Sequence, residues 1–230
     1  MKNEKNIAII LAAGQGKRMN SSVPKQYLML GNKPILFYAI QAFEYAACID
    51  EIILVVGHDQ INYCTQEIVN KYNFQKVKKI ISGGKERYDS VYCGIKEAVD
   101  ADNIFIHDGA RPFVSEKNIE DALKCVRKYD ACVLGVPVKD TIKIVDKDNT
   151  IHQTPDRAYV WAIQTPQVFK KDIILEAYDK LSTSKVSNIT DDAMVVEQML
   201  GLKVKVVEGS YENIKITTPD DLKVGECYLK

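Results

Sequence analysis

The residues from Leu11 to Tyr27, LAAGQGKRMNSSVPKQY, place Gly14 and Gly16 beside Lys17, Arg18 and Lys25, directly after an apolar run. Glycine lets backbone amides approach an anion. Arginine offers phosphate oxygens a planar fork, and lysine adds a mobile point charge. Together they suit a polyphosphate. Two familiar phosphate loops fit poorly. Gly14-Gln15-Gly16 opens like a dinucleotide fingerprint, but Met19 stands where a third glycine would allow close helix–strand packing, which argues against a nicotinamide-dependent dehydrogenase. Arg18 follows Gly16-Lys17, so no hydroxyl is placed for magnesium as in a P-loop. A solvated turn with incidental charges is the plain alternative.

Further groups of the same chemical kind stand after apolar runs. Gly83 and Gly84 end one and precede Ser90. Asp108 ends another and opens Asp108-Gly109-Ala110-Arg111, and Lys215 lies in NIKIT. The glycines would let backbone groups approach a ligand closely, with the Ser90 hydroxyl adding orientation; otherwise SGG is a strand-ending turn and Ser90 a helix residue. Asp108 could contact a ribose, a magnesium ion or an alcohol hydroxyl. It could equally pair with Arg111 and only order the loop.

The elements that would carry these groups alternate. NIAIILAA, EIILVVG, VKKIISGG and NIFIHDGARP have the length of buried strands. PILFYAIQAFEYA, RYDSVYCGIKEAV and SEKNIEDALKCVRKY have apolar positions three and four apart, as helices do. Alternation of this kind predicts a Rossmann-like three-layer α/β/α fold, with a mostly parallel twisted sheet and right-handed crossovers. Ligands in such sheets bind at the carboxyl ends of the strands, where the glycine loop, Gly83-Gly84 and Asp108 would all lie. After Pro137, TIKIVDKDNTIHQT reads as a β-hairpin around a polar turn. A lone hairpin is marginal in water, so Ile142, Ile144 and Ile151 need a surface to cover, either their own domain or a second subunit. KDIILEAYDKL and TDDAMVVEQML read as helices, KVKVVEG as a strand, and NIKITTPDDL leads into a last helix. The preferred division is one domain, 1–230, with a projecting arm at about 138–160.

The chain of 230 residues has 31 Lys plus Arg against 31 Asp plus Glu. A net charge of zero gives no global support for a nucleic-acid or membrane-surface partner, so anion binding must come from local clustering. Its six cysteines show no CxxC spacing and read as small hydrophobes of a reducing compartment. No apolar run approaches membrane-spanning length, and a cytoplasmic location is the expectation.

LAAGQGKRM followed by PKQY resembles the nucleotidyltransferases that activate sugar and polyol phosphates. Within them it is most similar to the 2-C-methyl-D-erythritol 4-phosphate cytidylyltransferase family of the non-mevalonate isoprenoid pathway. The likeness continues in order through GGKERYDSV, HDGARPFV, VPVKDTIK, TPDRAYVWAIQTPQVF, ITDDA and NIKIT. It implies transfer of a cytidylyl group from CTP to methylerythritol phosphate. Ribitol-5-phosphate cytidylyltransferase is the alternative within the class, and TPDRAYVWAIQTPQ and ITDDA favour methylerythritol phosphate. An inactive binding module that keeps the fold is disfavoured by the presence of Arg18, Lys25, Asp108, Arg157 and Lys215.

The resemblance also implies roles. Ala12, Ala13, Gly14, Gly16, Gly83, Gly84, Ser90 and Asp108 would bind the nucleotide. Arg18, Lys25 and Lys215 would be catalytic, with Mg²⁺ carried mainly by the CTP phosphates and Asp108 a possible protein ligand. Asp108, Arg111, Thr141, Arg157, Thr165, Thr190 and Lys215 would hold the alcohol phosphate, Thr165 and Thr190 as hydroxyl donors. Thr141 and Arg157 would reach it from a neighbouring subunit of a homodimer. The attacking group is already a phosphate, so no general base is needed, and His58, His107 and His152 read as structural. The obstacle is repulsion. Two like unit charges about 4 Å apart repel by about 4 kcal/mol at an effective dielectric near 20, and several such pairs arise here. Neutralisation and alignment are therefore the expected means of catalysis.

Overall fold

A computed structural model describes residues 4–14, 16, 23–184, 186 and 188–229. The first strand, β1 (Asn6–Ala12), is followed by the short strands β2 (Met29–Leu30) and β3 (Lys33–Pro34) and by helix α1 (Ile35–Tyr45). Next come β4 (Glu51–Val56), a short α2 (Ile61–Tyr63) continued by a π-helical stretch Cys64–Asn70, β5 (Val77–Ser82) and α3 (Arg87–Glu97). Then follow β6 (Asn103–Asp108), α4 (Glu116–Tyr129), β7 (Ala131–Pro137), β8 (Ile144–Val145) and β9 (Ile151–Gln153). The chain closes with β10 (Trp161–Lys170), α5 (Lys171–Thr183), α6 (Asp192–Leu200), β11 (Lys205–Glu208) and α7 (Pro219–Tyr228).

Seven strands form one sheet in the order β11-β7-β10-β6-β1-β4-β5. All neighbours are parallel except β10, which runs antiparallel to both β6 and β7. Side chains alternate between faces along a strand, and both faces of the inner strands β1, β4 and β6 are dry. Ala8, Ile10, Ala12, Ile52, Leu54, Val56 and Phe105 pack on one side with α1 and α4. Ile7, Ile9, Ile53, Val55, Ile104 and Ile106 pack on the other with α3, α5 and α6. Such two-sided burial explains why these strands read as continuous apolar runs, and it gives the three layers expected from the sequence.

Helix starts follow local chemistry. Glu86 and Asp89 form a capping box at α3, and Thr218 and Asp221 form another at α7, where Pro219 takes the first helical position. At α6 the N-cap is Asp191, whose carboxylate accepts from the Met194 amide at 2.9 Å. NIKIT, which suggests a strand, is irregular here, and its chain is held by the Ile216 amide donating to the Ala110 carbonyl at 2.8 Å. The arm pairs only with itself, as the two-stranded sheet β8-β9. Ile144, Val145 and Ile151 are about half exposed, so the arm does not fold back to bury them on its own chain. Among the described residues no helix is long and apolar enough to cross a membrane. Of the six cysteines, Cys64 and Cys132 are buried and Cys227 is exposed.

Candidate active site

Two clefts adjoin at the carboxyl ends of β1, β5 and β6, with cavity volumes of about 230 and 340 Å³. The first is lined by Ala12, Ala13, Gly14, Lys25, Gly84, Arg87, Ser90, Asp108 and Lys215, among others. The second is lined by Arg87, Asp108, Arg111, Thr165, Gln167, Thr190, Asp191 and Lys215, among others. Arg87, Asp108 and Lys215 line both. A charged partition therefore separates two compartments, each open to the same side chains.

Lys25 reaches the first cleft because the glycine loop is pinned at both ends. Gly16 has φ +63°, and a Cβ there would sit 2.9 Å from the Lys25 Cβ, so only glycine fits the turn without strain. Buried Gln26 donates from Nε2 to the Ala12 carbonyl at 2.6 Å, tying the KQY turn to the end of β1. Among the described residues, none would lie within 4 Å of a Cβ on Gly14, so none of them covers its backbone. Arg18, placed in this loop by the sequence, lies outside the described residues.

Close packing also fixes the Gly83-Gly84 turn. A Cβ on Gly83 would fall 2.6 Å from Ser90 Oγ, and one on Gly84 would collide with the Asp89 Cβ. Ser90 Oγ accepts from the Gly84 amide and donates to the Glu86 carbonyl, both at 3.1 Å. Its hydroxyl thus holds the turn and keeps one lone pair for a ligand donor.

Asp108 is the centre of charge. Its carboxylate lies 2.7 Å from Lys215 Nζ, 3.3 Å from Arg87 Nε and 3.9 Å from Arg111 Nε. Burial alone would raise its pKa; Arg87 first, then Lys215 and Arg111, reverse this and hold it well below the usual carboxylate range. Arg111 in turn donates from Nη1 to the Asn213 carbonyl at 2.7 Å. Arg87 donates through both terminal nitrogens to Asp192, at 2.9 and 2.8 Å, and Asp192 is fully buried. Asp192 also accepts from the Tyr178 hydroxyl at 2.6 Å. A buried carboxylate stripped of its partner destabilises a fold by about 3–5 kcal/mol, so Asp192 and Arg87 fix one another firmly.

Most of the described sequence candidates meet here. Thr141 and Arg157 do not. Both lie on the arm, exposed, with Arg157 Nη1 donating to the Lys139 carbonyl at 2.8 Å, and neither lines either of these two clefts. Sequence reasoning missed Arg87, Asp192 and Gln26. Arg87 had a signal: it stands three residues before Ser90 on α3, hence on the same helix face. Asp192 had none, since its partner is 105 residues away in the chain.

Two adjoining clefts at the carboxyl edge of a three-layer sheet, sharing Arg87, Asp108 and Lys215, suit an enzyme of the nucleotidyltransferase class, and the relatives of this chain are of that class. The model of the family described as "IspD: 2-C-methyl-D-erythritol 4-phosphate cytidylyltransferase" matches residues 6–230, and the chain belongs to that family. A protein of that name from Lachnoclostridium phytofermentans is 48% identical over 227 residues, covering 99% of this chain and 97% of the relative. Another from Clostridium botulinum (strain Eklund 17B) is 51% identical over 219 residues, covering 95% and 96%. The solved 4-diphosphocytidyl-2C-methyl-D-erythritol synthase of Anaerococcus prevotii superposes with a TM-score of 0.87 at 36% identity, covering 99% of this chain and 96% of that one.

Proposed function

We propose that this chain transfers the cytidylyl group of CTP to 2-C-methyl-D-erythritol 4-phosphate in the non-mevalonate route to isoprenoid precursors. An oxygen of the alcohol's phosphate attacks the α-phosphorus, the bond from that phosphorus to the β-phosphate bridge breaks, and pyrophosphate leaves with the electron pair. The product is 4-(cytidine 5'-diphospho)-2-C-methyl-D-erythritol. No proton need be removed from the nucleophile. The observation that carries this reading is the partition of Arg87, Asp108 and Lys215 between two adjoining clefts, within a chain of this family.

In this reading the triphosphate lies over Gly14 and Gly16 with Lys25 and Arg18 on its oxygens. Cytosine lies against Ala12, Ala13, Gly83, Gly84 and Ser90. The lone pair left on Ser90 suits the exocyclic amine of cytosine, a donor that uracil lacks. Lys215 faces the α-phosphate, and the alcohol phosphate occupies the second cleft by Asp108, Arg111, Thr165 and Thr190. Thr141 and Arg157 complete that cleft from a second subunit through the arm, in a homodimer located in the cytoplasm.

A magnesium ion fits the donor set only as cargo of the nucleotide. Among the described residues no group of three or more His, Cys, Asp or Glu side chains could hold a metal, and Asp108 already faces three cations. Magnesium, with other divalent cations as substitutes, would neutralise triphosphate oxygens, with Asp108, which lines both clefts, as the candidate protein ligand.

The test is pyrophosphate release by the purified chain with CTP or UTP, paired with methylerythritol phosphate or ribitol 5-phosphate, with magnesium or with chelator. Release is expected with CTP, methylerythritol phosphate and metal together. Lys25→Ala should lower kcat by about a hundredfold or more with the fold intact. Preference for ribitol 5-phosphate would move the enzyme to the alternative substrate, and near-normal turnover of Lys25→Ala would remove that residue from the mechanism.

A further inference from the structure

Behind the second cleft, three groups in a row fix a hydrogen-bond direction. Buried Thr165 Oγ1 lies 3.0 Å from the Asp108 amide nitrogen and 3.0 Å from His107 Nδ1. On the far side of the imidazole, His107 Nε2 lies 3.0 Å from the Arg111 carbonyl oxygen. A carbonyl can only accept, so Nε2 carries the hydrogen. The ring is fully buried against Phe43, at 4.9 Å between centroids, and both ring nitrogens face neutral partners, surroundings that disfavour the imidazolium. At neutral pH it therefore has one N–H, and Nδ1 is a bare lone pair.

The consequences reach Thr165. A hydroxyl has one donor and two acceptor positions. The Thr165 proton goes to His107 Nδ1, and one lone pair takes the Asp108 amide. One lone pair is all that remains for the cleft that Thr165 lines. A phosphate oxygen would meet it lone pair to lone pair, whereas an alcohol O–H would complete it. Neighbouring groups share the bias. Gln167 Oε1 is taken by the Asp192 and Ala193 amides, its Nε2 donates to Asp191 at 2.9 Å, and the Asp191 carboxylate can only accept. Arg87, Arg111 and Lys215 gather instead around Asp108.

We propose that His107 is a positioning residue that fixes Thr165 as a hydrogen-bond acceptor, so that Thr165 meets a donor hydroxyl of the alcohol substrate and not its phosphate. This rests on the cytidylyl-transfer reading and replaces the donor role that the sequence suggests for Thr165. The second cleft then has a hydroxyl edge at Thr165 and Asp191 and a phosphate edge at the cations.

Two measurements test it. Nitrogen-15 NMR of the full chain near neutral pH, with labelled histidine, should show His107 neutral with Nε2 protonated and Nδ1 bare. An Nδ1–H tautomer or an imidazolium would overturn the proposal, whatever the enzyme transfers. Kinetics on the full chain should then separate the substrates. Thr165→Val should raise KM for methylerythritol phosphate by about three- to tenfold and leave KM for CTP unchanged, while Thr165→Ser restores the wild-type value. His107→Asn, whose Oδ1 can accept from Thr165, should stay closer to wild type than His107→Leu. One deoxy analogue of the alcohol phosphate should bind wild type and Thr165→Val alike; if none does, or if Thr165→Val raises both KM values together, the assignment fails. Absence of any transfer to methylerythritol phosphate by the wild type would sink the functional reading instead, and the NMR result would still decide the hydrogen-bond direction.

Discussion

Asp108 cannot be understood apart from its three cations. Its type and place mark it in the sequence, as an acid at the end of a buried strand, whereas Lys215 as a phosphate partner is an expectation that only the family resemblance supplies. The ring of charge around Asp108 was not legible, because Arg87 and Asp192 become neighbours only when α3 and α6 pack. His107 is the sharper residue-scale case: the sequence makes it structural, and the structure gives its ring a direction. A pH dependence follows. The folded chain protonates His107 only near pH 4, whereas an unfolded histidine does so near 6.5. Between those values the unfolded state binds more protons, so this residue's effect is to lower stability as pH falls, by about 1.4 kcal/mol per pH unit. Asp108 acts in a different window: its depressed pKa gives stability present above the ordinary carboxylate range and lost only as pH falls below it. Urea unfolding of the wild type and of His107→Asn, compared at about pH 7 and about pH 5, should show the larger loss in the wild type. Equal losses would mean that His107 is not held neutral.

At the scale of elements, the described parts of the glycine loop are held differently. Gly14 and Gly16 look alike in the sequence but differ in the structure, one open and one crowded against Lys25 at positive φ. Gly16→Ala should therefore lower kcat/KM by tenfold or more while global stability drops by only about 1–2 kcal/mol, since the strain is local to a turn outside the core. Gly14→Ala should leave stability unchanged and raise KM for CTP. Steady-state kinetics beside thermal unfolding of both variants makes the comparison, and equal behaviour of the two would refute it. Helices with apolar positions three and four apart were legible in advance, as were the buried strands. β10 was not, because its middle carries Gln164, Thr165 and Gln167, polar residues buried to build the second cleft. Its register also shifts against β7 between Ile163 and Gln167. Such an irregularity re-aims side chains and erases the alternation by which a strand is recognised.

For the whole molecule, the arm leaves apolar side chains uncovered and holds the two expected substrate residues away from their own clefts. The sequence leaves the hairpin two surfaces to cover, its own domain or a second subunit, and Ile144, Val145 and Ile151 stay about half exposed on their own chain. Under the shared-site dimer, a chain defective in the arm and a chain defective in the cleft should rescue one another. Mixing Arg157→Ala with Lys25→Ala, after subunit exchange, should restore roughly a quarter of wild-type activity, because about half of the resulting dimers would hold one intact site of two. No gain on mixing, with sedimentation showing monomers at assay concentration, would count against the dimer.

Strand order has a bearing on how the molecule is made. β6 and β7 follow one another in the chain but are not neighbours in the sheet; the place between them is filled by β10, whose residues begin at Trp161. A growing polypeptide that has emerged only as far as Pro137 carries two open inner edges and has no wall behind its second cleft. Edges of that kind invite pairing with other chains. The second cleft takes shape only with the final third of synthesis, so an unfinished polypeptide exposes sticky edges before its candidate site is whole.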